Sequence, residues 1–257
     1  MKKSFLLIAL FLTFSIALFS FTNSGKNSFL LAASAGNAIN KTTDSSIVNS
    51  SADSSSFTAV SADQALYNRL RLQDAGLSMQ ALSMAIKGYE KLVEEGNVQN
   101  QKYLSIVDLS QSSRKKRFYL LDMENQKLVI NTFVAHGRNS GIDEAESFSN
   151  DPNSNESSLG FYLTKNTYMG KHGLSLKLSG QEAGFNDNAE ARGIVVHGAP
   201  YVNEGRISSD YMGRSQGCPA LPETEYAKVI KMIKDGSVLF IYHPDEAYMS
   251  GSSLLNS

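Results

Sequence analysis

The sequence predicts a mainly β domain of α+β type, with one late helix, carried behind a short helical hairpin. Three observations lead there. Apolar residues recur at near-helical spacing between positions 61 and 96, and after Asn100 the period shortens towards two. Beyond that point, seven short runs rich in β-branched and aromatic residues are separated by Gly, Asn, Ser and Asp. One further amphipathic stretch, 223–234, interrupts the series near its end.

The elements follow in order. Lys2 and Lys3 precede an apolar run over 5–21, broken only by Thr13, Ser15 and Ser20. That reads as a signal peptide or an amino-terminal anchor. It implies export to the periplasm or cell envelope, with membrane contact only through this segment. Ala33-Ser34-Ala35 has the form of a cleavage site, and a cut around Ser20 to Ser24 serves equally well. No cysteine follows the run to carry a lipid. Residues 22–60 are rich in Ser, Asn and Thr and too poor in large apolar groups to offset chain entropy, so they read as a flexible tether. Ser61 with Gln64 has capping-box form and opens a helical hairpin over 61–96, punctuated by Gly76. Its second helix lines up Leu82, Ala85, Ile86, Tyr89, Leu92 and Val93 on one face, which the following domain must cover.

That domain, 97–245, is expected to hold strands at 103–109, 118–123, 127–135, 161–165, 174–178, 194–197 and 238–243. Its helix is started after Pro222 and stopped by Asp235-Gly236. Residues 137–158 form a long polar loop of the kind that serves function, and 246–257 read as a tail. The net charge of −1 argues against a nucleic-acid partner, which demands a basic face. The one basic run, Arg114 to Arg117, reads as a solvated hairpin turn.

The chemistry concentrates around the only cysteine. Cys218 stands in Gly213-Arg214-Ser215-Gln216-Gly217-Cys218-Pro219-Ala220, and His197-Gly198 ends an apolar run upstream. A lone thiol in an exported chain cannot form an internal disulfide, and it is a liability unless used. A strand-end imidazole and a glycine-framed thiol can meet across a cleft. Cys218 is then the nucleophile and His197 the general base and acid. The N–H groups of Gly217 and Cys218 are the nearest donors for an oxyanion hole. No carboxylate is placed to orient the imidazole, and a backbone carbonyl would serve as well.

Residues His197-Gly198 and, further on, Ser215-Gln216-Gly217-Cys218 resemble the His…Ser-x-Gly-Cys signature of the L,D-transpeptidases. They resemble most the murein L,D-transpeptidase catalytic-domain branch. The similarity includes Val134 to Gly141, Phe148-Ser149-Asn150, Ser157 to Tyr162, Tyr168 to Leu176 and Arg192 to Tyr201, and runs from about Leu66 to Tyr242. It implies an L,D-transpeptidase-like β-sandwich or barrel. It also implies attack by Cys218 on the third residue of a peptidoglycan stem tetrapeptide, loss of D-alanine, and transfer to an amine in a 3→3 cross-link. No metal or organic cofactor is implied, and carbapenems are implied as acylating inhibitors. Ala220 departs from the arginine common two places after the cysteine in the wider superfamily, which makes Arg214 the candidate for a stem carboxylate.

Several other residues belong to the expected cleft. His136 and His172, each beside glycine, are candidates to touch substrate. Ser215 is a candidate to brace the turn or bind substrate, and Tyr201 and Tyr211 to wall the cleft. The histidines lack metal-ligand spacing, so no metal site is expected. A sortase-like reading lacks its later arginine, and a papain-like one has the opposite order of Cys and His. Two alternatives stay open beside transpeptidation: hydrolytic trimming of D-alanine, and a non-catalytic peptidoglycan-binding module.

Overall fold

A helical layer begins at Ser61, whose Oγ accepts from the Gln64 N–H at 3.2 Å and starts α1 (Ala62–Arg69). Gln64 turns its own amide to Asn68, so only half of the capping box forms. A short α2 (Leu72–Ala75) ends at Gly76, and Ser78 caps α3 (Met79–Glu94), the second limb of the expected hairpin. The computed structural model describes residues 61–256. The signal or anchor expected over 1–21 and the tether expected over 22–60 lie outside the described residues.

Eight strands follow: β1 (Tyr103–Asp108), β2 (Phe118–Asp122), β3 (Lys127–Thr132), β4 (Gly160–Gly170), β5 (Gly173–Gly180), β6 (Val195–Ala199), β7 (Ala220–Pro222) and, after α4 (Tyr226–Ile233), β8 (Val238–Tyr242). They form one sheet in the order β3-β2-β1-β8-β4-β5-β6-β7. Just past β3, Ala135 donates its N–H to the Ala220 carbonyl at 2.9 Å, so the two ends of the sheet meet and the barrel is nearly closed. β2, β6 and β8 are buried along their whole length, which is why they read as continuous apolar runs with no alternation.

The apolar face of α3 packs on this sheet: Ala81, Leu82, Ala85, Ile86 and Leu92 share one core with Leu104, Ile106, Phe161 and Phe240. The approach is closest at Gly88, where an added Cβ would lie 2.1 Å from Phe161 Cζ. Gly88→Ala must therefore push helix and sheet apart. The expected cost is about 1–3 kcal/mol, read as a lowered midpoint in thermal unfolding. A midpoint equal to wild type would show that the helix rides loosely on the sheet.

Three features differ from the sequence reading. β7 was not expected, because three residues ending in proline carry no strand pattern. The stretch 246–257 is not bare tail: Asp245 caps α5 (Glu246–Gly251), and Tyr248, Leu254 and Leu255 are buried. This segment is latched by the buried carboxylate of Glu182, which accepts from the Phe161 N–H at 2.8 Å, from the Tyr248 hydroxyl at 3.0 Å and from Ser252 Oγ.

The third difference is a correction. Arg114 and Lys116 are solvated and paired, with Asp143 and Glu204. Arg117, however, is fully buried and donates to the carbonyls of Val134 and Gln111. The solvated-turn reading fails there because β2 begins at the next residue and carries the guanidinium inward.

Candidate active site

β6 and β7 run parallel, pairing His197 with Ala220, and so bring the turn that carries Cys218 beside the end of β6. Both side chains face one open cleft of about 540 Å³. His197 is buried, and its Nδ1 lies 2.9 Å from the Gly198 carbonyl. A carbonyl only accepts, so this contact assigns the proton to Nδ1 and leaves the Nε2 lone pair available as a base. The orienting group left open by the sequence is thus a backbone carbonyl.

The half-buried Cys218 directs its thiol to the Gly193 carbonyl at 3.8 Å. Burial pushes its pKa up, against a smaller downward pull from the Val195 N–H and from the charges of Arg192 and Lys171. Burial also pulls the His197 imidazole below its ordinary value, opposed by the Gly198 carbonyl and aided by His172 and Lys171. Both shifts favour uncharged partners, so the resting pair is thiol and neutral imidazole. Ionisation belongs to the moment of attack.

The turn before Cys218 is held from within. Ser215 Oγ donates to the Cys218 carbonyl at 2.7 Å and accepts from the Gly217 N–H at 3.1 Å. The Gly217 N–H, expected to face the oxyanion, is thus engaged within the turn. Among the described residues no acceptor is recorded for the Cys218 N–H, which stays the candidate donor. Gly217 has a separate role. Its φ of 114° and the Glu156 carbonyl, 2.6 Å from where a Cβ would stand, admit no side chain.

His136 requires a second correction. It is 1% exposed and does not line the cleft. Nδ1 lies 2.7 Å from Arg117 Nη2, and the ring is depressed to about 4 by burial and then by that guanidinium. Its carbonyl accepts from the Ser215 N–H at 2.8 Å, so His136 supports the catalytic turn from behind. The adjoining glycine that suggested access instead packs against residues 155–157.

His172, Arg214, Ser215 and Tyr201 do line the cleft. His172 stacks on His197 with ring centroids 4.4 Å apart. Arg214 donates through Nη1 to the carbonyls of Arg138 and Gly141 and lies over the Tyr211 ring. Tyr201 packs against Gly213, and its hydroxyl is pushed up to about 12 by burial and then by Cys218. His243 lies elsewhere, against Phe148.

Sequence reasoning missed Arg192 as an individual. Its guanidinium ties four points of the long loop, Ser149, Ser154, Glu156 and Ser158, into the wall beside Cys218. The signal available was the loop itself, rich in serine and asparagine and too long to be a simple connection. Among the described residues no group of three or more His, Cys, Asp or Glu is placed to hold a metal.

Fold and site define a class: a nearly closed sheet with a thiol and an oriented imidazole on one open, basic cleft. The L,D-transpeptidase catalytic domain model matches residues 73–242, and the chain belongs to that family. Solved structures similar to it include an L,D-transpeptidase from Mycobacterium smegmatis, at 12% identity over 55% of this chain and 59% of that one, with a TM-score of 0.36. Another is L,D-transpeptidase 3 from Mycobacterium tuberculosis, at 10% identity over 55% and 61%, TM-score 0.35. An L,D-transpeptidase from Xylanimonas cellulosilytica aligns at 15% identity over 69% of this chain and 92% of that one, TM-score 0.33. The chain thus spans 59% of the length of the first of these. No curated protein matches.

Proposed function

We propose that this chain is a cell-envelope acyltransferase that works through a Cys218 thioester on peptidoglycan stem peptides. The observation that carries the reading is the shared cleft, lined both by Cys218 and by an imidazole fixed by the Gly198 carbonyl with Nε2 available. In the reaction, Cys218 Sγ attacks the carbonyl of the third stem residue as His197 Nε2 takes the thiol proton. The Cys218 N–H donates to the developing oxyanion. His197 then returns the proton to the departing D-alanine amine, and the C–N bond breaks to leave a thioester. An amine from a neighbouring stem attacks this ester, giving its proton to His197. The new amide closes the 3→3 cross-link, and the thiolate recovers its proton. No step draws on a metal or organic cofactor.

Intact-protein mass spectrometry tests this with disaccharide-tetrapeptide, and separately with a carbapenem. The expected result is a covalent adduct on Cys218 from each, with D-alanine release and a cross-linked dimer from the tetrapeptide. Release without dimer would replace transfer by hydrolysis. A folded protein with a titratable thiol and no adduct would leave a peptidoglycan-binding module.

A further inference from the structure

The charge of the cleft is one-sided. Although the chain carries a net charge of −1, Arg138, Lys171, Arg192 and Arg214 all line this cleft, and among the described residues no aspartate or glutamate does. Arg192 is spent on the loop, as described. Lys171, Arg138 and Arg214 have no carboxylate partner among the described residues. Convergent cations in a concave site raise the local concentration of anions and set which substrates enter.

The three form two stations. Lys171 sits at the tip of the β4–β5 hairpin beside His172, whose ring stacks on His197, and lines the same cleft as Cys218. Arg138 and Arg214 sit where Gly137 bridges Ser215, and the Arg214 Nη1 bond to the Arg138 carbonyl holds them together. In the sheet, β5 flanks β6 on one side and β7 flanks it on the other. Lys171 therefore stands on the β5 side of His197, and the arginine pair stands beyond β7, where Ala135 pairs with Ala220 and Gly137 with Ser215. Both stations line the cleft that holds Cys218.

We infer that the cleft selects acyl donors carrying a free carboxylate on both sides of the scissile carbonyl, and rejects stems in which either carboxylate is masked as an amide. One carboxylate belongs to the departing residue, the other to the acyl portion. This rests on the acyl transfer proposed above. A neutral amide keeps one carbonyl acceptor but loses the negative charge, and its NH2 replaces an acceptor oxygen with a donor facing cations that can only donate.

The test measures the second-order rate of Cys218 acylation in the full chain with three synthetic stem tetrapeptides. One has both carboxylates free, one is amidated at the departing residue, and one is amidated on the acyl side. Each amidation is expected to slow acylation about tenfold or more, an effect that shrinks as salt rises. Lys171→Gln should erase one of the two preferences and Arg138→Gln the other, each leaving its counterpart intact. Equal rates for the three donors would overturn the selection while leaving the acyl transfer standing. Acylation by none of them would remove the reaction and this inference together.

Discussion

Cys218→Ala is expected to abolish acylation by tetrapeptide while leaving the unfolding midpoint near that of wild type, since the side chain is small and faces the cleft. His197→Ala should retain the thiol but lose about three orders of magnitude in acylation rate at pH 7. The size of that loss follows from electrostatics. Burial holds Cys218 above its ordinary value, so few molecules are thiolate at neutral pH unless a base takes the proton during attack. The working base is neutral imidazole, and burial holds His197 below its ordinary value. Acylation by wild type should therefore persist down through about pH 6.5, where an ordinary histidine would already be half protonated, and fall only at more acid pH. In His197→Ala the rate should instead climb with pH, following direct ionisation of the thiol. Rates of acylation from pH 5 to 10 decide the matter. Full turnover by Cys218→Ala, or identical profiles with and without His197, would exclude this pair as the machinery.

His136 should produce the largest effect on stability in mild acid. In the unfolded chain it takes a proton near 6.5, while in the fold burial and Arg117 delay protonation to about 4. Between those values the unfolded state holds the extra proton. Stability is thus full above about pH 6.5 and drains as pH falls towards 4, by roughly 3 kcal/mol at the limit. His197 and His243, also held low by burial, add in the same direction. Asp143 behaves differently. Burial works to raise it, but hydrogen bonds from Arg114, Ser113 and Ser112 outweigh this and hold its carboxyl far below the usual range, so its contribution is lost only in stronger acid. Thermal unfolding of wild type and His136→Gln between pH 7.5 and 4.5 separates these groups. The variant should be less stable at pH 7.5 and lose less on acidification. Parallel curves for the two proteins would mean that His136 is not the group being titrated.

The strands were legible because β1, β2 and β8 are dense in Leu, Ile, Val, Phe and Tyr and are bounded by polar turns. The amphipathic period of α3 was equally plain. Cys218 and His197 stood out because each lies beside a glycine at the edge of an apolar run, where chemistry and backbone requirements coincide. What stayed hidden depends on partners distant in the chain. Arg117 looked solvated because three of the four residues in its run carry exposed charge or lie in the turn. Only its pairing with His136, Val134 and Gln111 explains its burial. Gly217 was expected to offer its N–H to substrate, and nothing local revealed that Ser215 would claim it. The latch on Glu182 joins β4, the segment after β5 and α5, so no window of sequence contains it.

The neighbour relations of the sheet also bear on how the chain acquires its structure. β1 pairs in parallel with β8, Leu104 against Val238, and β8 in turn pairs with β4. β8 therefore sits between two halves that precede it in the chain. During synthesis, α3 and the first three strands emerge long before the strand that completes their edge. Assembly waits for nearly the whole catalytic domain to leave the ribosome, and non-local pairing of this kind makes folding slow. Until then the edge of β1 is open to other strands. Crowded expression is the condition under which this protein should aggregate, and a lower concentration of nascent chains should help it reach the native state.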